Sequence, residues 1–175
     1  ELHQLEKSFP MGKSRRRVLK EIDLTLNDNE FVSVVGTSGC GKSTLLSIAA
    51  GLEEFDSGDV RVDGQSITGP GLDRGVVFQS YTLLPWLTAR GNIEFALNAA
   101  GTPVRDCREL AQQHLELVKL GAAADRWSGE LPGGMKQRVA IARPLSYRPI
   151  ILLTVVPFAS LDATTRPQMH QFPID

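Results

Sequence analysis

Eight consecutive residues, Gly36-Thr37-Ser38-Gly39-Cys40-Gly41-Lys42-Ser43, hold the densest chemistry in this 175-residue chain. Their pattern is Gly-x-x-x-x-Gly-Lys-Ser. Glycines without a Cβ can turn several backbone N–H groups to one side, and a helix beginning at the lysine adds its positive end. Such a segment cradles phosphate oxygens. The Lys42 ammonium reaches the outer phosphates as a point charge, and the Ser43 hydroxyl serves as a Mg²⁺ ligand, with Thr44 completing the set of contacts. Cys40 reads first as a small loop residue; modification of its thiol would block phosphate entry.

A cradle of this kind needs a strand before it and a helix after it. Phe31 to Val35 is a continuous apolar run that stops at Gly36, which predicts a buried strand, and Lys42 to Ala50 has helical spacing closed by Gly51. Upstream, Leu2 to Phe9 and Val18 to Leu26 alternate in strand fashion and predict a hairpin. Its connection carries Gly12, Lys13, Arg15, Arg16 and Arg17, read as a solvated loop tip or a small phosphate or headgroup patch. A short strand follows around Val60 to Val62, then a turn-rich stretch, then a strand from Gly75 to Phe78 with Gln79 at its end. Helical patterning runs from Leu87 to Leu120 as a separate lobe. Gly133 and Gly134 open a third helical run through Met135, Val139 and Ile141, and Ile150 to Leu153 reads as an interior strand.

Lys and Arg total 19 against 20 Asp and Glu, so the net charge of -1 exerts no overall pull on nucleic acid or anionic lipid. The two cysteines, Cys40 and Cys107, make no disulfide framework and fit a reducing, cytoplasmic setting. The N-terminal residues lack the apolar core of a signal peptide. The apolar stretch from Ile150 to Ala159, broken by Thr154 and Pro157, is about half the roughly 20 residues a bilayer span needs. Work at a membrane would therefore be peripheral, on the inner face.

Phosphate loops serve many enzymes, so the loop alone names a ligand and leaves the function open. Other segments narrow it. Leu131-Pro132-Gly133-Gly134-Met135-Lys136-Gln137-Arg138, with Gln79 upstream and Ala159-Ser160-Leu161-Asp162 downstream, resembles the nucleotide-binding subunit of an ABC transporter in order and spacing. Ser80 to Thr88 and the Gly-Gly-Met-Lys-Gln-Arg wording are similar to the nitrate, sulfonate and taurine importer ATPases. The resemblance implies an α/β fold: a P-loop NTPase core of mostly parallel sheet with flanking helices, an N-terminal antiparallel β subdomain and a helical lobe. It divides a single, incomplete nucleotide-binding domain over 1–175 into an antiparallel part (1–30 and 58–66), phosphate loop and helix (31–57), helical lobe (81–132), and a last part (133–175) with the signature helix and a degenerate Walker B region. It further implies that ATP and Mg²⁺ are bound, that Phe9 stacks on adenine, and that Gln79 senses Mg²⁺ and the attacking water. Gly133 and Gly134 would offer backbone N–H groups to ATP held by a second ATP-binding subunit. Transmembrane permease subunits would be the other partners, and nucleic acid none.

Against that pattern, Val155 and Val156 stand where the family has a Mg²⁺-holding Asp and a water-polarising Glu. Losing a general base costs about 10²–10⁴ in rate, and losing an outer-shell metal partner about 10–100, so hydrolysis is expected to be weak while binding survives. Pro132 replaces a serine that contacts the partner's γ-phosphate. Pro144, expected to cost about 3 kcal/mol inside a helix, should end or kink that helix near Ala142. The family's later strand, which inserts between the phosphate-loop strand and Ile150–Leu153, and its later His have no counterpart here, which suggests a gap in the sheet and a fragment, decayed copy or non-catalytic homologue. Alternatives to an importer subunit are a pseudoenzyme that binds ATP as a structural or regulatory ligand, a soluble ABC protein acting on DNA or ribosomes, and a generic phosphate-loop kinase.

Overall fold

The computed structural model describes residues 1–78 and 80–154. They form two compact units, the first made of residues 1–75 and 149–153 and the second of the chain between them together with Thr154.

The first unit is built on an antiparallel hairpin. Strand β1 (Leu2–Met11) pairs with β2 (Ser14–Leu24), and β1 also pairs on its other side with β3 (Ser57–Val62), which continues into the two-residue β4 (Gln65–Ser66). The sheet order is β2-β1-β3-β4. A register shift between Leu2 and Leu5, with Gln4 at φ 45°, brings two leucines three apart in sequence onto one buried face. A bulge allows this, because strict two-residue alternation would have sent them to opposite faces. Against that face packs helix α1 (Lys42–Ala49) through Leu45 and Ile48, with Leu19 and Val60 completing the core. After the Ala50 cap the chain turns at Gly51 with φ 74°, as the sequence predicts.

Four expectations need correction. The run from Phe31 to Val35 forms no strand; it is irregular, with Phe31 76% and Val35 70% exposed. A strand with an apolar run is stable only when both faces and both edges are covered, and no strand among the described residues pairs with it. The arginines assigned to a loop tip are instead strand residues of β2, since the hairpin turns on Gly12 and Lys13 alone. Arg15 pairs with Asp56 at 2.9 Å and Arg17 with Glu6 at 3.8 Å. Strand β5 (Arg74–Val77) lies next to β6 (Ile151–Thr154), whose residues are half-buried rather than interior.

The second unit is helical. Helix α2 (Ala89–Ala99) starts at Thr88, whose side chain accepts the Gly91 N–H at 3.0 Å. Helix α3 (Val104–Leu117) presents Cys107, Ala111 and Leu115, a stripe at four-residue spacing, to Ile93 and Leu97 of α2. Helix α4 (Gly133–Leu145) adds Val139 and Ala142 to the same core. The fourth correction concerns its end: α4 runs through Pro144 to Leu145. Placed in the last turn, the proline loses one hydrogen bond while Ser146 N–H still reaches Ala142 O at 3.1 Å, so the helix need not stop at Ala142. The expectations that rest on Gln79, Val155, Val156 and Ala159 to Asp162 lie outside the described residues.

Both tryptophans, Trp86 and Trp127, belong to the helical unit. Ile93→Ala, at a fully buried position, should cost about 2–5 kcal/mol of that unit's stability. Urea unfolding followed by tryptophan fluorescence will show it as a lowered midpoint; an unchanged midpoint would mean the Ile93 core does not hold this unit together.

Candidate phosphate site

Two glycines shape the loop ahead of α1. Gly39 has φ 79° and Gly41 φ 100°, left-handed values that other residues adopt only with strain. Gly41 is also hemmed in: a Cβ there would lie 3.0 Å from Val18 Cγ1 and from Leu19 Cδ2 of β2. The glycine thus lets the loop close onto the hairpin. Cys40 N–H donates to Thr37 O at 3.3 Å within the loop.

Helix α1 begins at Lys42 with no side-chain cap and no acidic residue in its first turn. Its first internal bond runs from Leu45 N–H to Gly41 O at 2.9 Å, so the N–H groups of Lys42, Ser43 and Thr44 have no acceptor within the helix. Exposed donors and an unneutralised positive end together favour an anion. The Lys42 ammonium folds back over the loop and donates to Gly36 O at 2.8 Å and Thr37 O at 2.7 Å, with Cys40 Sγ at 3.5 Å. An entering phosphate would exchange neutral carbonyl acceptors for charged oxygens, which form the stronger bonds. Ser43 is exposed at the same helix end, where its hydroxyl is open to a Mg²⁺ ion, and Cys40 is exposed as well.

Phe9 sits near the end of β1, half-buried, and the Lys7 ammonium lies 4.8 Å from its ring centroid. Lys7 is itself buried, donating to Glu54 O at 2.6 Å and pairing with Glu53 at 2.6 Å. Sequence reasoning overlooked it. The available signal was a lysine two residues from both Leu5 and Phe9, hence on the apolar face of an alternating strand.

In the helical unit Gly133 and Gly134 are the first two residues of α4 and both are exposed. Met135 and Lys136 N–H groups donate to Pro132 O at 2.9 and 3.0 Å, leaving those of the two glycines without a helical acceptor. Pro132 occupies the cap and supplies no side-chain hydrogen bond. Two further groups escaped sequence reasoning. Asn92, fully buried on α2, accepts the Leu84 N–H at 2.8 Å and donates to Thr88 O at 2.9 Å and Ser128 Oγ at 2.8 Å. Arg143 on α4 donates to the backbone and side chain of Thr82. Burial draws the Arg143 guanidinium below its ordinary pKa, and burial likewise pushes the neighbouring Tyr147 phenol up, against the opposing charge of Arg143.

A glycine-rich loop on the end of α1, beside an antiparallel hairpin, and a helical unit with its own exposed glycine pair together define an ATP-binding cassette. Residues 19–154 match the family described as ABC transporter, and the chain belongs to that family. It is 49% identical over 173 residues to the bicarbonate transport ATP-binding protein CmpC of Synechococcus elongatus, covering 97% of this chain and 26% of that protein. To the nitrate import ATP-binding protein NrtD of Synechocystis it is 45% identical over 175 residues, covering 100% of this chain and 66% of that protein. The chain thus spans between about a quarter and about two-thirds of these relatives' length. Among solved structures, the dimeric ATP-binding cassette MJ0796 bound to ADP and Pi has a TM-score of 0.84 at 33% identity, over 97% of this chain and 79% of that one.

The two left-handed glycines separate backbone strain from packing. Gly39→Ala, with nothing within 4 Å of its Cβ, should lose only the left-handed penalty of about 1–2 kcal/mol. Gly41→Ala adds the collision with Val18 and Leu19 and should lose more. Thermal melting of the two variants will rank them, and equal losses would refute the close approach of the loop to β2.

Proposed function

We propose that this chain is the ATP-binding subunit of an ABC-type importer for a small oxyanion such as nitrate or bicarbonate, the solutes named for its relatives. One observation carries the nucleotide part: free N–H groups of Lys42, Ser43 and Thr44 beside the Lys42 ammonium, at an uncapped helix end. Gly36 to Ser43 and Thr44 bind the β- and γ-phosphates, Lys42 neutralises them, and Ser43 with Gln79 would hold Mg²⁺, which would screen the phosphate charge. Phe9 takes the adenine on the ring face turned away from Lys7. Gly133 and Gly134 meet the γ-phosphate bound by a second ATP-binding subunit, so ATP closes a dimer.

No helix of the described residues is long and apolar enough to cross a membrane. Transport would therefore require permease subunits, with this chain peripheral on the cytoplasmic face. Phe95 and Val104, 57% and 74% exposed on α2 and α3, line a groove with Leu87 and Cys107 that supports such docking. Solute choice belongs to those partners.

Val155 and Val156 favour a second, narrower reading, in which this chain binds ATP but hydrolyses it slowly, as a catalytically impaired or regulatory subunit. Binding and hydrolysis then rest on different residues.

Calorimetry with Mg-ATP tests the first reading: Lys42→Ala should weaken binding about 10- to 150-fold, the loss of charged hydrogen bonds of about 1.5–3 kcal/mol. Absence of Mg-ATP binding by the unaltered folded chain would overturn it. Single-turnover hydrolysis by the chain and by its Val155→Asp, Val156→Glu double variant tests the second. The variant is expected to be at least about 10²-fold faster, and equal rates would remove the valines from the argument.

A further inference from the structure

Immediately after Gln79 the chain makes an unusual turn. Thr82 N–H donates to Ser80 O at 2.6 Å, closing three residues around Tyr81, which has φ 59°. That is the strained hand of a three-residue turn. Thr82 follows with φ 47°, an outlier for a β-branched residue. Two successive side-chain-bearing residues stay left-handed only where surrounding contacts over-determine them.

Those contacts come from three sides of the helical unit. Arg143, in the last turn of α4, donates from Nη1 to Thr82 O at 2.7 Å and from Nη2 to Thr82 Oγ1 at 2.9 Å. The planar fork matches two acceptors of one residue, a geometry that a lysine cannot reproduce. The Tyr81 hydroxyl lies 3.4 Å from the point where a Cβ on Gly133 would sit. Downstream, Leu84 is gripped by Asn92, which accepts its N–H at 2.8 Å and donates to its carbonyl at 3.2 Å.

We propose that Arg143 is a positioning residue: its guanidinium holds the Ser80–Thr82 turn in the left-handed form and fastens it to the helix that begins with Gly133 and Gly134. The turn and the glycine pair then move as one piece. A displacement of the Ser80–Thr82 turn reaches the exposed N–H groups of Gly133 and Gly134 without repacking the core of the unit. For its nucleotide-dependent consequence, though not for the clamp itself, this rests on the ATP-binding reading above.

Hydrogen exchange on the whole chain separates a clamp from an ordinary packing arginine. Arg143→Ala should speed exchange of the Thr82, Leu84, Met135 and Lys136 amides tenfold or more while leaving β1 and α1 amides unchanged. Thr82→Gly removes the left-handed strain, so the double variant should return the amides at positions 82 and 84 to within threefold of the unaltered chain, with Met135 and Lys136 still fast. Arg143→Lys, which keeps the charge and the aliphatic stem, should fall between the two and serves if the alanine variant does not fold. Exchange at Thr82 and Leu84 that ignores Arg143, or that glycine at 82 fails to rescue, would overturn the clamp. With Mg-ATP, Arg143→Ala should keep its dissociation constant within threefold but need at least tenfold more protein to dimerise; unchanged dimerisation would overturn the coupling. Should the unaltered chain bind no Mg-ATP, the functional reading fails, and the exchange data still decide the clamp.

Discussion

The left-handed backbone of Gly41, pressed against Val18 and Leu19, is the constraint on which the phosphate site depends. A helix can present an anion site only if its first turn is open and its axis is fixed. The close approach at Gly41 sets the start of α1, and Leu45 and Ile48, one turn further, anchor the axis in the core shared with Leu5 and Val60. A side chain at 41 would move the helix end off the hairpin or force the loop out of its turn. The antiparallel sheet therefore supports the loop from one side even though Phe31 to Val35 adds no strand on the other.

The helical unit solves a different problem with the same physics. Its signature helix also starts with donors that lack helical acceptors, but here the cap is a proline and the first two residues are glycines. Nothing local aims them. Their placement comes from the Val139 and Ala142 contacts with the α2–α3 core and from the side chains that tie α4 to the segment after Gln79. Asn92 is the centre of that tie on the α2 side. A fully buried amide with all its donors and acceptors engaged is costly to disturb, so residues 84 to 88 and Ser128 are held as one frame.

Local chemistry was legible in the sequence and long-range pairing was not. Gly-x-x-x-x-Gly-Lys-Ser gave the loop and the start of α1 because each residue type answers to its own backbone or charge requirement. The helical patterning from Leu87 to Leu120 likewise marked α2 and α3 by period alone. Phe31 to Val35 misled because an apolar run states what a strand would bury, whereas strand formation depends on neighbours elsewhere in the chain. Arg15 to Arg17 read as a loop tip because charge suggested solvent, yet a two-residue turn at Gly12-Lys13 left them room to pair within β2. Pro144 cost less than a mid-helix proline because the helix was already ending. Lys7, Asn92 and Arg143 stayed hidden for one shared reason: each owes its part to a partner 8 to 61 residues away.

The position of the Lys42 ammonium bears on how tightly the site can hold a nucleotide. Its donors are already satisfied by Gly36 O and Thr37 O, so phosphate binding exchanges hydrogen bonds rather than adding them. A neutral bond is worth about 0.5–1.5 kcal/mol net and a charged one about 1.5–3, so the exchange of two gains on the order of 1–3 kcal/mol. Micromolar affinity requires about 8 kcal/mol. The remainder falls to the N–H groups at the start of α1 and to the helix end behind them. Those contributions come from backbone held in place by Gly41, Leu45 and Ile48. Binding is therefore a property of the loop's fixed shape, and it stands apart from whatever carboxylates hydrolysis would need further along the chain.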